Sequence, residues 1–257
     1  MTDESGQAAS SLRLYITPQH PCSYLPDHQA KTLFLDPHAN KNSWLYQALI
    51  EMGFRRSGDM IYRPECDDCQ ACVPVRLPVN QFTPNRSQRR AWQRSVAQMS
   101  VEIKSSEFNE DHYRLYESYI SDRHPGGEMA DTTVEKYLDF LTCSWNETLF
   151  IEFRLDTRIA AVAVTDVLPS GLSAVYTFFD PAIEKLSPGV FALLWQIELA
   201  KKLQLPWLYL GYWVPGCRKM EYKTRYQPIQ VYRENQWQNY QEIAPITLKS
   251  LSRQKKI

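Results

Sequence analysis

Four cysteines in the first third of the chain are candidates for metal ligands. Cys66, Cys69 and Cys72 form a C-x-x-C-x-x-C run in ECDDCQACVP, and Cys22 lies upstream in HPCSYL. Four thiolates suit a tetrahedral zinc ion or an iron-sulfur cluster, and spacing alone does not distinguish the two. We therefore expect these cysteines to bind one metal species. The alternative is a set of unligated thiols.

A row of arginines forms a second candidate site. Arg86, Arg90 and Arg94 recur every four residues, with Arg89 beside them, so they share one face of a predicted helix. Trp92 is interleaved with them. This composition suits phosphate contacts with aromatic stacking, and we expect this face to bind RNA. A solvated helix face is the alternative.

Basic and aromatic residues come together again in the final third, in GYWVPGCRKMEYKTRYQP. Lys219, Lys223 and Arg225 lie close together in this segment, beside Tyr212 and Tyr222. They could form an anion-binding site, or they could be exposed basic residues on a short helix.

An earlier motif, YISDRHPGGEM, places Arg123 and His124 ahead of two glycines. Glycines at such a point can let the backbone approach a ligand, or can simply turn the chain.

The elements that position these residues fall into two regions. Turn-rich sequence leads to a helix over 43–52, with Ser43 as its cap, and prolines favour extended backbone around the cysteines. Helices are predicted after Pro84, over 111–121 and over 133–141. The later elements are predicted as strands over 149–153, 159–167 and 172–179, a helix from Ser187-Pro188, a strand over 207–210, a short helical segment over 217–225 and a strand over 229–232.

The resulting order, β-β-β-α-β-α-β, is reminiscent of the acyltransferase fold of acetyl-coenzyme A N-acetyltransferases (the GNAT fold). We predict an α/β (α+β) protein with a small cysteine-bearing N-terminal domain over 1–95, which ends with the basic helix. A GNAT-like domain with a mixed, largely antiparallel sheet follows over 96–257. The acetyl-coenzyme A N-acetyltransferases hold the pyrophosphate of the coenzyme on a glycine-rich turn at the start of a helix. The corresponding EKLSPGV has one glycine and a proline, so we expect no coenzyme A and a different activated acyl donor.

Composition narrows the function further. Of 257 residues, 44% are hydrophobic, and 29 basic side chains balance 29 acidic ones. A neutral chain has no global attraction to nucleic acid or anionic lipid, so an RNA-binding surface must be a local patch. No apolar stretch approaches the roughly 18 residues of a membrane span. We expect a cytoplasmic protein without a membrane partner.

Several motifs together resemble the arginyl-tRNA-protein transferase family, and in particular its bacterial branch, the aspartate/glutamate leucyltransferases. The resemblance extends from about residue 14 to 232. It rests on HPCSYL, YRPECDDCQACVPVRLPV, YxxYxxxRHPGG, FFDP, LSPGVFALLWQIELAK and YLGYWVPGCRKMEYK. Eukaryotic relatives have a C-x-x-C where this chain has Cys22-Ser23-Tyr24-Leu25, so the second upstream cysteine is absent and the C-x-x-C-x-x-C run takes its place.

The resemblance implies an enzyme that moves an amino acid, leucine in this branch, from aminoacyl-tRNA to an N-terminal Asp or Glu and so marks proteins for degradation. The arginine face would then touch the tRNA acceptor stem. The acceptor carboxylate would bind among the basic residues of the two motifs described above: Arg123, His124, Lys219, Lys223 and Arg225. Since the donor ester is already activated, positioning can supply much of the rate.

Three residues are predicted to act in the chemical step. Asp180, in FFDP, would orient the amine or take its proton, and Tyr176 or Tyr212 would supply a hydroxyl. The alternative roles are a turn residue and packed aromatics. Two other functions remain open at this stage: an acyl-coenzyme A N-acyltransferase, and a metal-stapled RNA-binding module.

Overall fold

The computed structural model describes residues 12–123 and 132–240. Its helices are α1 (Ser43–Glu51), α2 (Arg86–Val96), α3 (Glu110–Arg123), α4 (Val134–Leu141) and α5 (Pro188–Lys202). Its strands are β1 (Leu14–Ile16), β2 (His20–Pro21), β3 (Gln29–Ala30), β4 (Thr32–Leu35), β5 (Arg55–Ser57), β6 (Met60–Pro64), β7 (Val73–Pro78), β8 (Met99–Ser105), β9 (Thr148–Leu155), β10 (Arg158–Leu168), β11 (Gly171–Phe179), β12 (Trp207–Trp213), β13 (Gln230–Arg233) and β14 (Gln236–Asn239).

One large sheet organises the molecule. Its eight strands follow the order β14-β13-β7-β12-β11-β10-β9-β8. Every neighbouring pair is antiparallel except β11 and β12, which run parallel and are joined through α5. Strands that run parallel need such a crossover, because a short turn cannot connect them. The predicted fold class, with a mixed and largely antiparallel sheet, is confirmed.

The predicted order of the later elements is also confirmed. The meander β9-β10-β11 is followed by α5, β12, a short 3₁₀ helix (Glu221–Arg225) and β13. One detail differs at the start of α5, where Pro188 is the first helical residue as predicted. Ser187 occupies the cap position with a φ of 59° and makes no side-chain capping hydrogen bond.

A smaller sheet holds the N-terminal region against the large one. Its strand order is β1-β4-β6-β5. Helix α1 begins at Ser43, but its cap is Asn42, whose side chain accepts a hydrogen bond from the Leu45 amide; the predicted cap was wrong. Residues of α1, β4 and β6 share one apolar core with Leu168 and Tyr209 of the large sheet. The two sheets are therefore packed together.

The large sheet includes a strand from the N-terminal region. Strand β7 lies between β12 and β13, and α2 packs against α5. Strand β7 and most of α2 precede residue 95, where the sequence prediction ends its first domain. The division at that residue stays a prediction, but the sheet itself takes a strand from before it.

No helix among residues 12–123 and 132–240 is both long and apolar enough to cross a membrane.

A buried ion pair joins the two sheets. Arg56 of β5 donates two hydrogen bonds to the carboxylate of Asp166 in β10, at 2.7 and 2.6 Å. Both side chains are 0% exposed. Arg56 also donates to the Leu141 carbonyl, and Asp166 accepts from the Thr148 hydroxyl. A buried pair is tolerated when its remaining polar groups are satisfied in this way.

We predict that Arg56→Met lowers the free energy of unfolding by roughly 3–5 kcal/mol, because it leaves the Asp166 carboxylate buried and unpaired. The double variant Arg56→Met/Asp166→Leu should be less destabilised than the single one. Urea unfolding measures both. Lys201→Met, which removes a partly exposed pair with Glu198, is the control and should cost under about 1 kcal/mol. A double variant as unstable as Arg56→Met would contradict this account.

Candidate functional site

Strands β11 and β12 separate part-way along their length. They pair only where Gly171–Ser173 lies opposite Trp207–Tyr209, although both strands continue beyond that point. The register between β12 and β7 shifts between Tyr209 and Gly211. The backbones therefore diverge, and we call the opening between residues 174–179 and 210–213 the strand wedge. Burial changes at the same point along β11, since residues 171–173 are buried and residues 174–177 are half-buried, whereas Leu210, Tyr212 and Trp213 of β12 stay buried.

Two cations lie in the strand wedge, one against each strand. Arg55 of β5 donates from Nη2 to the Ala174 carbonyl of β11 at 2.9 Å. Lys223, in the 3₁₀ helix that follows β12, donates from Nζ to the Tyr212 carbonyl at 2.5 Å. The two side chains satisfy backbone carbonyls beyond the point where strand pairing ends.

These cations are buried and close together. Arg55 is 8% exposed and Lys223 is 5% exposed. A carbon placed at the Cβ position of Gly211 would lie 3.6 Å from Arg55 Nε and Nη2 and 3.7 Å from Lys223 Nζ. Gly211 has a φ of +77°, which favours glycine, so the backbone itself keeps this space free of a side chain.

Neither cation of the strand wedge is neutralised. Among the residues the structure describes, no carboxylate forms an ion pair with Arg55 or Lys223. Burial, and then the positive charge of Arg55, lower the pKa of Lys223 from 10.5 to about 7. A site with two unpaired buried cations is suited to bind an anion. A bound anion would offset the energetic cost of burying the two charges and would reduce the repulsion between Arg55 and Lys223.

Aromatic rings border the strand wedge. Tyr176 of β11 lies 6.3 Å from Tyr119 of α3 and 5.2 Å from Phe140 of α4, measured between ring centroids. The Tyr222 ring centroid lies 5.9 Å from Lys223 Nζ, and this tyrosine is half exposed. The opening therefore combines a cationic centre with an apolar rim.

The three predicted catalytic residues lie in three different environments. Tyr176 is half-buried in the aromatic rim, and burial raises its pKa. Tyr212 is buried, and its hydroxyl donates to the Gly53 carbonyl at 2.9 Å, so its contribution to the strand wedge is its own carbonyl. Asp180 accepts from the Ala182 amide at 2.9 Å and pairs with Arg158 at 2.5 Å. These contacts explain Asp180 as a turn residue, and its catalytic role stays a prediction.

Of the predicted acceptor-binding cations, the structure brings one into the strand wedge, Lys223. Arg123 pairs with Glu184 and lies over the Phe179 ring. Lys219 and Arg225 are exposed. His124 lies outside the described residues.

The arginine face is a single exposed surface. Its members are exposed on α2: Arg86, Arg89, Arg90 and Arg94. Trp92 is half-buried against Phe191, 5.2 Å between ring centroids, so it packs on α5. Helix α2 also contacts the segment that carries Lys223, because Gln88 Nε2 donates to the Arg225 carbonyl at 3.2 Å. Helix α2 is thus hydrogen-bonded, through its buried side, to the segment that carries Lys223.

The four candidate metal ligands line a shared cavity. Cys22, Cys66, Cys69 and Cys72 border a space of about 680 Å³. Burial raises the pKa of the Cys72 thiol to about 12, with further contributions from the neighbouring thiols Cys22, Cys66 and Cys69, and it also raises the pKa of Cys66. A bound metal ion would act against these shifts, because it binds the thiolate. In the described part of the chain, no group of three or more His, Cys, Asp or Glu side chains is arranged to hold a metal ion. A metal on the four cysteines stays a prediction.

Sequence reasoning missed Arg55, one of the two buried cations of the strand wedge. Its only signal is the doublet Arg55-Arg56 after the apolar Phe54. Successive residues of a strand point to opposite faces, so two arginines in a short strand cannot share one partner. Arg56 takes Asp166, and Arg55 is left for the strand wedge.

Comparison with known proteins identifies the family. A family model described as "Arginine-tRNA-protein transferase, N terminus" matches residues 20–90, and one described as "Arginine-tRNA-protein transferase, C terminus" matches residues 111–233. The chain belongs to the arginine-tRNA-protein transferase family. The predicted family is therefore confirmed, and the two matches cover the elements that supply Arg55 and Lys223.

Within this family, similar proteins are named aspartate/glutamate leucyltransferase. The one from Hahella chejuensis is 50% identical over 227 residues, 88% of this chain and 97% of that protein. Those from Alcanivorax borkumensis (49%, covering 91% of this chain and 96% of that protein) and Teredinibacter turnerae (51%, 90% and 95%) are similar too. A solved structure of L-PGS from Bacillus licheniformis has a TM-score of 0.43 at 11% identity, over 65% of this chain and 48% of that chain, and supports no conclusion.

The lowered pKa of Lys223 predicts how stability of this transferase depends on pH. Unfolding returns the pKa of Lys223 from about 7 to 10.5, so the unfolded chain binds the extra proton between these values and the free energy of unfolding rises with pH there. In Lys223→Met this rise is lost. We expect the difference between wild type and variant to change by about 1.4 kcal/mol per pH unit within that window.

Urea unfolding at several pH values between about 6 and 9.5 measures this difference, since that range begins below the folded pKa of Lys223 and covers most of the window up to 10.5. The exposed Lys202→Met is the matched control and should follow wild type. Parallel stability curves for wild type and Lys223→Met would show that Lys223 is not held in the strand wedge as a buried cation.

Proposed function

We propose that this chain is an aspartate/glutamate leucyltransferase, which transfers leucine from leucyl-tRNA to the α-amino group of an N-terminal Asp or Glu on another protein. The observation that carries the proposal is about 50% identity, over nearly the whole of both chains, to proteins of that name. The unpaired cations of the strand wedge support it, since the substrate class is acidic. Such a transfer alters the N-terminus that decides whether a protein is degraded.

In the proposed reaction the acceptor amine attacks the ester carbonyl of leucyl-tRNA within the strand wedge. The new amide bond forms as the ester bond to the terminal ribose breaks, and a proton passes from the amine to the departing ribose hydroxyl. An α-amine has a pKa of about 7.7 to 8.0, so much of it is already neutral and nucleophilic near pH 7. Holding amine and ester together can supply roughly 7–11 kcal/mol of the barrier.

The strand wedge suits this chemistry because β11 and β12 are not paired with each other along its length. Backbone groups beyond Ser173 and Tyr209 are not used in pairing between β11 and β12 and can hold an extended substrate end. The half-buried aromatic rim suits the apolar leucyl group.

The tRNA would lie on the arginine face of α2. Its four exposed arginines can neutralise phosphates of the acceptor stem, while the hydrogen bond from Gln88 to the Arg225 carbonyl fixes α2 next to the segment bearing Lys223. Aminoacyl-tRNA and newly exposed acidic N-termini occur together in the cytoplasm, where we place the reaction. A zinc ion or an iron-sulfur cluster on the four cysteines is not assigned a step.

The direct test is label transfer. Incubation with radiolabelled leucyl-tRNA and a peptide that begins with Asp should move label to the peptide, and the same peptide beginning with Asn should receive far less. Parallel reactions with phenylalanyl-tRNA and arginyl-tRNA measure donor choice. Transfer to neither peptide from any of the three would refute the proposal, and transfer from acetyl-coenzyme A alone would indicate an ordinary N-acyltransferase.

Charge reversal tests the tRNA surface. Arg90→Glu/Arg94→Glu should weaken leucyl-tRNA binding and lower the slope of log affinity against log salt by roughly 0.7–0.9 for each phosphate that the arginines no longer neutralise. The kcat/KM for leucyl-tRNA should fall with it. Lys202→Glu, also an exposed cation at a helix position, is the control. Unchanged affinity and salt slope in the double variant would place the tRNA elsewhere.

A further inference from the structure

We propose that Arg55 and Lys223 together form the site that binds the side-chain carboxylate of the acceptor's N-terminal residue. The inference rests on the proposed function and deepens it, because it names the two residues that select an acid over its amide. Arg55 contributes from the N-terminal region and Lys223 from the segment after β12. The strand segments 174–179 and 210–213 carry no cation of their own.

The other buried cations in the described part of the chain have carboxylate partners. Among the described residues, the buried Arg and Lys side chains are Arg55, Arg56, Arg76 and Lys223. Arg56 pairs with Asp166, and Arg76 pairs with Glu51 at 2.7 Å. Burial of a cation is expensive, and these two follow the usual solution of a carboxylate partner. Arg55 and Lys223 have no such partner in the described part of the chain, so a carboxylate from outside is the partner that suits them.

Arg55 and Lys223 both lie close to one point in the strand wedge. The Cβ position of Gly211 marks one point within 4 Å of both cations. A guanidinium has five N–H donors and an ammonium has three, whereas Arg55 donates to one carbonyl and Lys223 to one carbonyl and the Met220 sulfur. Donors therefore remain on both sides of that point, and a carboxylate can offer one oxygen to each cation.

Two buried cations distinguish a carboxylate from an amide by its charge. An amide in place of the carboxylate has the same shape but no negative charge, so it leaves both buried cations unpaired. Acceptors that begin with Asn or Gln are therefore expected to bind more weakly than those that begin with Asp or Glu. The position in the strand wedge also matters, because the carboxylate of an N-terminal Asp or Glu lies only a few bonds from the amine that attacks. Binding of the side-chain carboxylate therefore also positions the attacking amine.

Lys223 makes this discrimination depend on pH. Its pKa is lowered to about 7 by burial and by Arg55, and among the described residues Cys217 and Cys72 oppose this in part. Tyr222, half exposed, lies beside its ammonium group. The free enzyme therefore loses the Lys223 charge as pH rises above 7, and with it part of the preference for an acid.

The experiment measures kcat/KM for leucyl transfer to peptides that begin with Asp, Glu, Asn or Gln. The variants are Arg55→Met, Lys223→Met and the charge-conserving Arg55→Lys and Lys223→Arg, with the exposed Lys202→Met as matched control. Each Met variant should lower the Asp:Asn ratio of kcat/KM by roughly 10- to 100-fold, mostly through the Asp peptide. The charge-conserving variants should retain more of the ratio, and the control all of it.

The pH dependence of the Asp:Asn ratio supplies a second readout. The wild-type ratio, divided by the ratio of Lys223→Arg at the same pH, should fall as pH rises from about 7 to 9, because Lys223 loses its charge in this range whereas an arginine keeps it. The division removes the difference between the amine pKa values of the two peptides, which is the same for both enzymes. A ratio that is unchanged in both Met variants, or that has the same pH dependence in wild type and Lys223→Arg, would overturn the inference while leaving leucyl transfer intact. Absence of transfer by wild type would instead refute the proposed function.

Discussion

The functional architecture depends on the early end of pairing between β11 and β12. Two parallel strands that separate after three residue pairs leave backbone carbonyls with no partner on the neighbouring strand, and buried carbonyls need one. Arg55 and Lys223 satisfy one carbonyl on each strand. Because long charged side chains do this in place of a further strand, the strand wedge stays open, and its interior is positively charged.

This arrangement requires segments far apart in the chain to be held in register. Arg55 reaches Ala174 across 119 positions, and its neighbour Arg56 reaches Asp166 across 110. The Arg56–Asp166 pair fixes β5 against the sheet from one face, which aims Arg55 into the strand wedge from the other. On the opposite side, the hydrogen bond between Gln88 and the Arg225 carbonyl steadies the segment of Lys223. The N-terminal region is thus part of the site and not an accessory to it.

The sequence predicts what depends on neighbouring residues. The meander over β9, β10 and β11 follows from alternating apolar runs with polar turns, and α5 follows from Pro188 and an apolar helical face. It does not predict that β7 enters the large sheet, since that pairing joins residues more than a hundred positions apart. Arg55 was missed for the same reason. Two adjacent arginines in a short strand indicate an exposed edge unless the partners of each face are known.

The choice of cation explains how the strand wedge can be both stable and selective. An arginine keeps its charge in proteins, whereas burial and the charge of Arg55 lower the pKa of Lys223 to about 7 when no anion is bound. Before an anion binds, the site therefore lowers its own cost of burial by shedding a charge, and an arriving carboxylate restores that charge by pairing with it. A second arginine at position 223 could not relax in this way, and two neutral residues could not tell an acid from its amide. An arginine with a permanent charge and a lysine that can lose its proton thus allow the site to be stable when empty and selective for an acid when an acceptor binds.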